Sequence, residues 1–407
     1  MSEQYFSPPP ISGACDKGLD AYSHYTDQLL GYGPDLRALF DAADATPDCA
    51  LLQAHAAALH LAFESSEGWQ MAKPYLKRMQ QARKNIHPQE AMFCEAVALW
   101  SKRDWRSALA HLMALTEQWP NDIVALKWGQ YHAFNLGDQK SLLALGERAI
   151  RHFSGAPYVH GLYAFALEQS HDLEGAEQQA RKAVEIALDD AWAHHALAHV
   201  METRGQAEEG ANWLEHCTHL WDAKGVFIRE HNWWHLALFY LQLGNHNRVL
   251  EIYDQHLWGE WPEFPQEQIG AASMLWRMKL SGIDGGSRWQ PVLEQARLRA
   301  NDKLFAFHDL HYLFALISAG EEKEVSSHIN SLEQLAMTPN ACPSWRAALP
   351  AAHGILAYAR GDYAEAETCL ATALPKLEQI GGSHAQRAIF NETLRAARSS
   401  KSSAGVL

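Results

Sequence analysis

Apolar residues recur at three- and four-residue spacing through most of the chain, the period of amphipathic helices. Alternating β-branched runs bounded by turns, the mark of strands, do not occur. Ala, Leu, Glu, Gln and Arg fill the segments instead, and all of these favour helix. The pattern predicts a succession of helices joined by short turns.

The succession repeats. "AVALWSKRDWRSALAHLMALTEQWPND" begins at Ala96, "GQYHAFNLGDQKSLLALGERAIRHF" at Gly129, and two similar stretches follow from Tyr163 and Ala196. Their turns fall at Arg103, Gly137, His171 and Gly205, 34 residues apart, and continue at Gly244, Gly282, Gly320 and Gly361 with longer intervals. That is the helix-turn-helix period of tetratricopeptide repeats. Small residues occupy fixed places around the turns. Ala96, Ala164, Ala198, Ala237 and Gly354 precede them, and Ala108, Ala176, Gly210 and Ala366 follow, where paired helices must approach closely. Gly137-Asp138, Gly244-Asn245 and Gly361-Asp362 read as a helix stop followed by an N-cap, and Glu365 extends the last into a capping box.

The expected fold is all-α: tetratricopeptide-like repeats forming a right-handed superhelical solenoid with a concave pocket. Residues 1–45 read as N-terminal capping helices, 46–380 as the repeats, 381–398 as a C-terminal capping helix and 399–407 as a flexible tail. Two insertions interrupt the register, "WGEWPEFPQEQ" at 258–268 and "GIDGGSRW" at 282–289.

Four stretches resemble the tetratricopeptide repeat protein 38 family of bacteria and animals: "AWAHHALAHVMETRG", "HNWWHLALFYLQLGNHNRVLEIYD", "FHDLHYLFAL" and "QIGGSHAQRAIFNETL". The resemblance covers the C-terminal half most strongly. It implies the repeat fold and, through a relative encoded in a glycopeptide-antibiotic gene cluster, a hydroxylase-type activity. The family places an acid after the Gln386-Arg387 pair, where this chain has Ala388.

Composition narrows the function classes. The chain is 47% hydrophobic and 20% charged, with 34 basic and 48 acidic residues and a net charge of −14. No basic stripe appears, so no nucleic-acid partner is expected. No apolar stretch is long enough to span a bilayer, so no membrane partner is expected. The six cysteines are scattered without a C-x-x-C pair, and the N-terminus lacks a secretory pattern, which points to the cytoplasm. No phosphate loop, G-x-S-x-G elbow or H-E-x-x-H motif occurs.

The 23 histidines and 15 tryptophans ask for a reason. In tetratricopeptide repeats the first helix of each pair lines the concave side. Its inward positions here include Trp192, His195, His199 and Glu202, then His231 and Trp234 with His235 beside it. Upstream they include Lys127, Tyr131, Tyr158, Phe165 and Glu168; downstream come Trp276, Phe307, His308, Asp309, His311 and, on the last helix, Arg387. Imidazoles exchange protons near neutral pH and ligate metals, and tryptophan supplies flat apolar walls. The expected catalytic set is His195, His199, His235, Asp309 and His311. The expected substrate-binding set is Trp192, His231, Trp234, Tyr158, Tyr131, Trp276 and Arg387, the last gripping a carboxylate or phosphate. His195, His199 and Glu202 share one helix face and would suit Fe or Zn, as in a 2-His-1-carboxylate oxygenase. Three readings stay open: a pocket that binds and converts a small organic molecule, a scaffold for an extended peptide or partner protein, and a metal-dependent hydroxylase. A homodimer is compatible with each.

Overall fold

The computed structural model of the protein describes residues 5–339 and 342–404, and every regular element among them is helical. Two helices come first, α1 (Asp16–Gly31) and α2 (Arg37–Ala45). Helix-turn-helix pairs follow: α3 (Ala50–Leu61) with α4 (Ser66–Ala82), α5 (Pro88–Ser101) with α6 (Trp105–Gln118), and α7 (Ile123–Asn135) with α8 (Gln139–Phe153). Next come α9 (Val159–Gln169) with α10 (Leu173–Ile186), α11 (Ala191–Thr203) with α12 (Ala207–Cys217), and α13 (Val226–Gln242) with α14 (His246–Ile252). The last pairs are α15 (Pro265–Leu280) with α16 (Trp289–Arg299), α17 (Ala306–Ser318) with α18 (Glu322–Met337), and α19 (Pro343–Ala359) with α20 (Tyr363–Ala373). Helix α21 (His384–Ala404) ends the described chain. Residues 399–404, expected as a flexible tail, therefore continue this helix; 405–407 lie outside the described residues.

The turn of every pair uses one backbone device. Glu64, Arg103, Gly137, His171, Gly205, Gly244, Gly282, Gly320 and Gly361 all adopt the left-handed conformation, with φ from 60° at Glu64 to 81° at Gly361. A left-handed residue just past a helix lets the next amides return to its last carbonyls. Asp138 N–H donates to Ala133 O, and Asp172 N–H to Leu167 O, in this way. The following residue caps the second helix. Asp104, Asp138, Asp172, Asn245 and Asp362 each accept from a backbone N–H three residues on, at 3.0–3.3 Å. Gln206 holds the same place before α12 and makes no such bond.

Small residues set how closely the helices approach. Ala108, Ala164, Ala176, Ala198, Ala237 and Ala366 are fully buried. At Gly354 a Cβ would stand 2.6 Å from Leu370 Cγ and 3.1 Å from Leu370 N, so α19 and α20 meet backbone to side chain with no room for a methyl.

The chain divides into two compact units. The first comprises Met1–Phe134 and Asp138–Asn232; the second comprises Asn135–Gly137 and Trp233–Leu407. In the first unit α1 lies against inner helices of the repeats. Tyr25 O–H accepts from the Trp128 indole N–H at 3.0 Å, and the Tyr22 and Tyr25 rings meet His55 of α3. In the second unit α21 does the equivalent for α15 and α17. Trp276 N–H donates to Thr393 Oγ1 at 3.0 Å, Arg277 donates to Ala385 O at 2.7 Å, and Phe390 packs on Phe314. Among the described residues no helix is long and apolar enough to cross a membrane.

Candidate functional site

Within the first unit, α7, α9 and α11 bring Lys127, Phe165, Trp192 and His195 to one place. Helix α11 starts at a buried N-cap, Asp190, whose carboxylate accepts from Ala193 N–H at 2.9 Å. Burial raises the Asp190 carboxyl to about 6, opposed by Lys224 and Lys127. From that cap the helix presents Trp192, His195 and His199 on one face. His195 and His199 are each 1% exposed. Their Nε2 atoms stand 3.0 Å apart, and Phe165 of α9 packs against both rings. His231, half-buried on α13, brings its ring centroid to 4.9 Å from that of His195. One ring nitrogen from each of His195, His199 and His231 lies within 4.8 Å of the other two.

A carboxylate stands beside these imidazoles, that of Glu168. Glu168 is fully buried at the end of α9, and its Oε2 lies 3.6 Å from His199 Nδ1. Glu202 sits half-buried in the last turn of α11 and is not in the imidazole group. Of the expected His195-His199-Glu202 set, the two histidines belong to the converging imidazoles. Glu168 and Glu202 hold the same repeat position, 34 residues apart.

An aromatic niche adjoins the histidines. Trp192 stacks on Tyr32, which follows α1, with centroids 5.2 Å apart and planes at 19°. The Trp192 ring also meets Phe165 at 4.8 Å and His195 at 4.5 Å. Lys127 of α7 sets its Nζ 4.2 Å over the Tyr32 ring and 4.9 Å from the Trp192 ring, and donates to Tyr32 Oη at 2.6 Å. Burial lowers the Lys127 ammonium to about 7, against the pull of the Asp190 carboxylate. The buried Trp192 indole N–H has no hydrogen-bond acceptor among the described residues. Tyr32 and Phe227, which stacks on His231, escaped the sequence reading. Tyr32 lies before the repeats begin, so no repeat register points to it.

Tyr131 donates to Glu64 at 2.6 Å amid Trp100 and Trp128. Tyr158, a left-handed residue before α9, has Lys224 over its ring at 5.4 Å and its hydroxyl raised to about 12 by burial. In the second unit His235 follows one turn after His231 on α13 and is fully buried beside Trp234; burial, then the Arg277 charge, lowers its imidazole to about 3. Trp234 is itself buried, with the Arg277 guanidinium over its ring. Trp276 is core, sealed by α21, and offers no wall to a ligand.

Asp309 does not serve His311. It pairs with Lys303 Nζ at 2.7 Å and His328 Nε2 at 3.4 Å, while His311 turns its Nδ1 to its own helix, at Phe307 O. Arg387 spends its guanidinium on the carbonyls of Gly381 and Gly382, so it is not poised for an anion. The loop at 258–268 is tied down by Glu267, which accepts from Gly259 and Trp261 N–H, both at 2.6 Å. The Cys217 thiol is pushed up to about 12 by burial, which excludes it as a ready nucleophile.

No protein-family model matches the chain. In structure it is similar to a human IFIT1 dimer with m7Gppp-AAAA, at 14% identity and a TM-score of 0.48 over 95% of this chain and 87% of that one. A human IFIT1 dimer with PPP-AAAA gives 14% and 0.46 over 96% and 88%. The APC/C hetero-tetramer Cut9-Hcn1 gives 14% and 0.44 over 93% and 72%. The two IFIT1 structures hold nucleic acid, which overturns the expectation that such a partner is excluded. Net charge sums the whole surface, whereas recognition is local.

Proposed function

We propose that the first unit binds a small organic molecule against Tyr32, Lys127, Phe165 and Trp192. The observation that carries this reading is the Trp192 indole N–H, a buried donor without an acceptor in a wall of aromatic rings beside a lysine amine. A buried donor left unmade costs roughly 1–3 kcal/mol, and an acceptor on a bound molecule would recover it. The chemistry selects a planar or apolar body with a carbonyl or acidic group directed at Trp192 and Lys127. A ligand turned over there meets His195 first. Imidazoles 1% exposed are closed to an extended peptide, so the small-molecule reading is favoured over a peptide groove. On the four quoted stretches we place the chain with the tetratricopeptide repeat protein 38 type, and its six free cysteines fit a reducing compartment.

The test screens carbonyl and carboxylate compounds by thermal shift on wild type, Trp192→Ala and Lys127→Met. Hits that raise the wild-type melting temperature should lose at least about tenfold in affinity in both variants, comparable to one lost buried hydrogen bond. Equal binding by all three proteins would refute the niche.

A further inference from the structure

We propose that His195, His199 and His231 hold a divalent first-row transition-metal ion, with Glu168 orienting His199 from behind. This goes beyond the niche and rests on a different observation, the convergence of three imidazoles from two helices.

The geometry argues for an ion in three ways. First, ring nitrogens on a tetrahedral zinc at 2.0–2.1 Å stand about 3.3 Å apart. The Nε2 atoms of His195 and His199 are already 3.0 Å apart, and the nitrogens of all three histidines fall within 4.8 Å. Two neutral imidazoles sharing a proton would account for the first pair, but not for a third ring drawn to the same point from α13. Second, His199 splits its nitrogens in the manner of a metal ligand. Nε2 faces the group, and Nδ1 faces the buried Glu168 carboxylate at 3.6 Å. A carboxylate behind the non-ligating nitrogen fixes the tautomer and raises ligand basicity. Third, the site is nearly dry, and Phe165 and the stacked Phe227 screen the rings from solvent. Three imidazoles without a thiolate suit zinc, iron, cobalt, nickel or copper over calcium or magnesium.

The experiment uses full-length protein made without an affinity tag, stripped with chelator and titrated with Co(II), then with Zn(II) in competition. Cobalt should give ligand-field absorption saturating at one equivalent, and zinc should bleach it. His195→Ala, His199→Ala and His231→Ala should each weaken zinc binding by about 100-fold or more, and Glu168→Gln by about 10- to 100-fold. Helicity by circular dichroism shows that each variant is folded. Should an alanine variant fail to fold, His195→Gln replaces it, and a zinc-dependent rise in the melting temperature of wild type supplies an independent readout. Less than about 0.1 equivalent bound by wild type would overturn the proposal, as would zinc binding unchanged in the His195→Ala/His199→Ala double variant. Trp192→Ala should leave zinc stoichiometry intact, so failure of the niche and failure of the metal site are separate results.

Discussion

Lys127 shows what a single residue costs and offers. Its ammonium is partly stripped of water, and the rings of Tyr32 and Trp192 return only part of that hydration. The folded chain therefore releases the Lys127 proton near 7, while the unfolded chain keeps it to 10.5. Below 7 both states are protonated and the burial penalty is full; it is relieved as pH rises from 7 toward 10.5. Lys127→Met should thus raise the melting temperature most at about pH 6.5, with the gain shrinking by about pH 9. An equal gain at both values would show that the amine is not desolvated. An acidic ligand would show the same titration as tighter binding below pH 7. Sequence spacing located His195 and His199 because i, i+4 fixes a shared face. It did not single out Glu168 as the carboxylate beside His199, because that contact comes from a different helix and no spacing within α11 points to it. Asp309, Trp276 and Arg387 read as functional for a related reason. A buried ion pair, a core indole and a carbonyl-binding guanidinium use the same residue types as a site.

At the scale of the element, the helix pairs were legible because the left-handed turn and the cap that follows it recur in fixed order. Two consequences can be measured. Gln206→Asn should supply the cap that α12 lacks and stabilise the protein by about 0.5–1 kcal/mol; Asn is chosen because Glu208 and Glu209 already crowd the first turn with negative charge. Chemical denaturation showing no gain would mean that this turn cannot reach cap geometry. The glycines divide by what surrounds them. Gly354→Ala forces a methyl against Leu370, and overpacking of roughly 1–3 kcal/mol should outweigh the helix propensity gained. Gly270→Ala, in α15 with open space around it, should stabilise by up to about 1 kcal/mol. Opposite signs in one denaturation series would confirm that close helix approach, rather than backbone freedom, retains Gly354.

For the molecule as a whole, the repeat period announced the architecture but not what fills the inner faces. A concave surface lined with Trp and His reads as an open pocket until terminal helices are laid upon it. Neither α1 nor α21 carries the repeat pattern, so neither signals its partner helix. The cover over α15 and α17 also bears on how the cell reads this protein. Trp276, Phe314 and His311 are all buried where α21 lies. A chain that stops after Ser383 would leave that aromatic surface bare, and it should bind a hydrophobic dye and aggregate while its upstream helices remain. Helix α21 thus hides a sticky surface that chaperones and proteases would otherwise recognise.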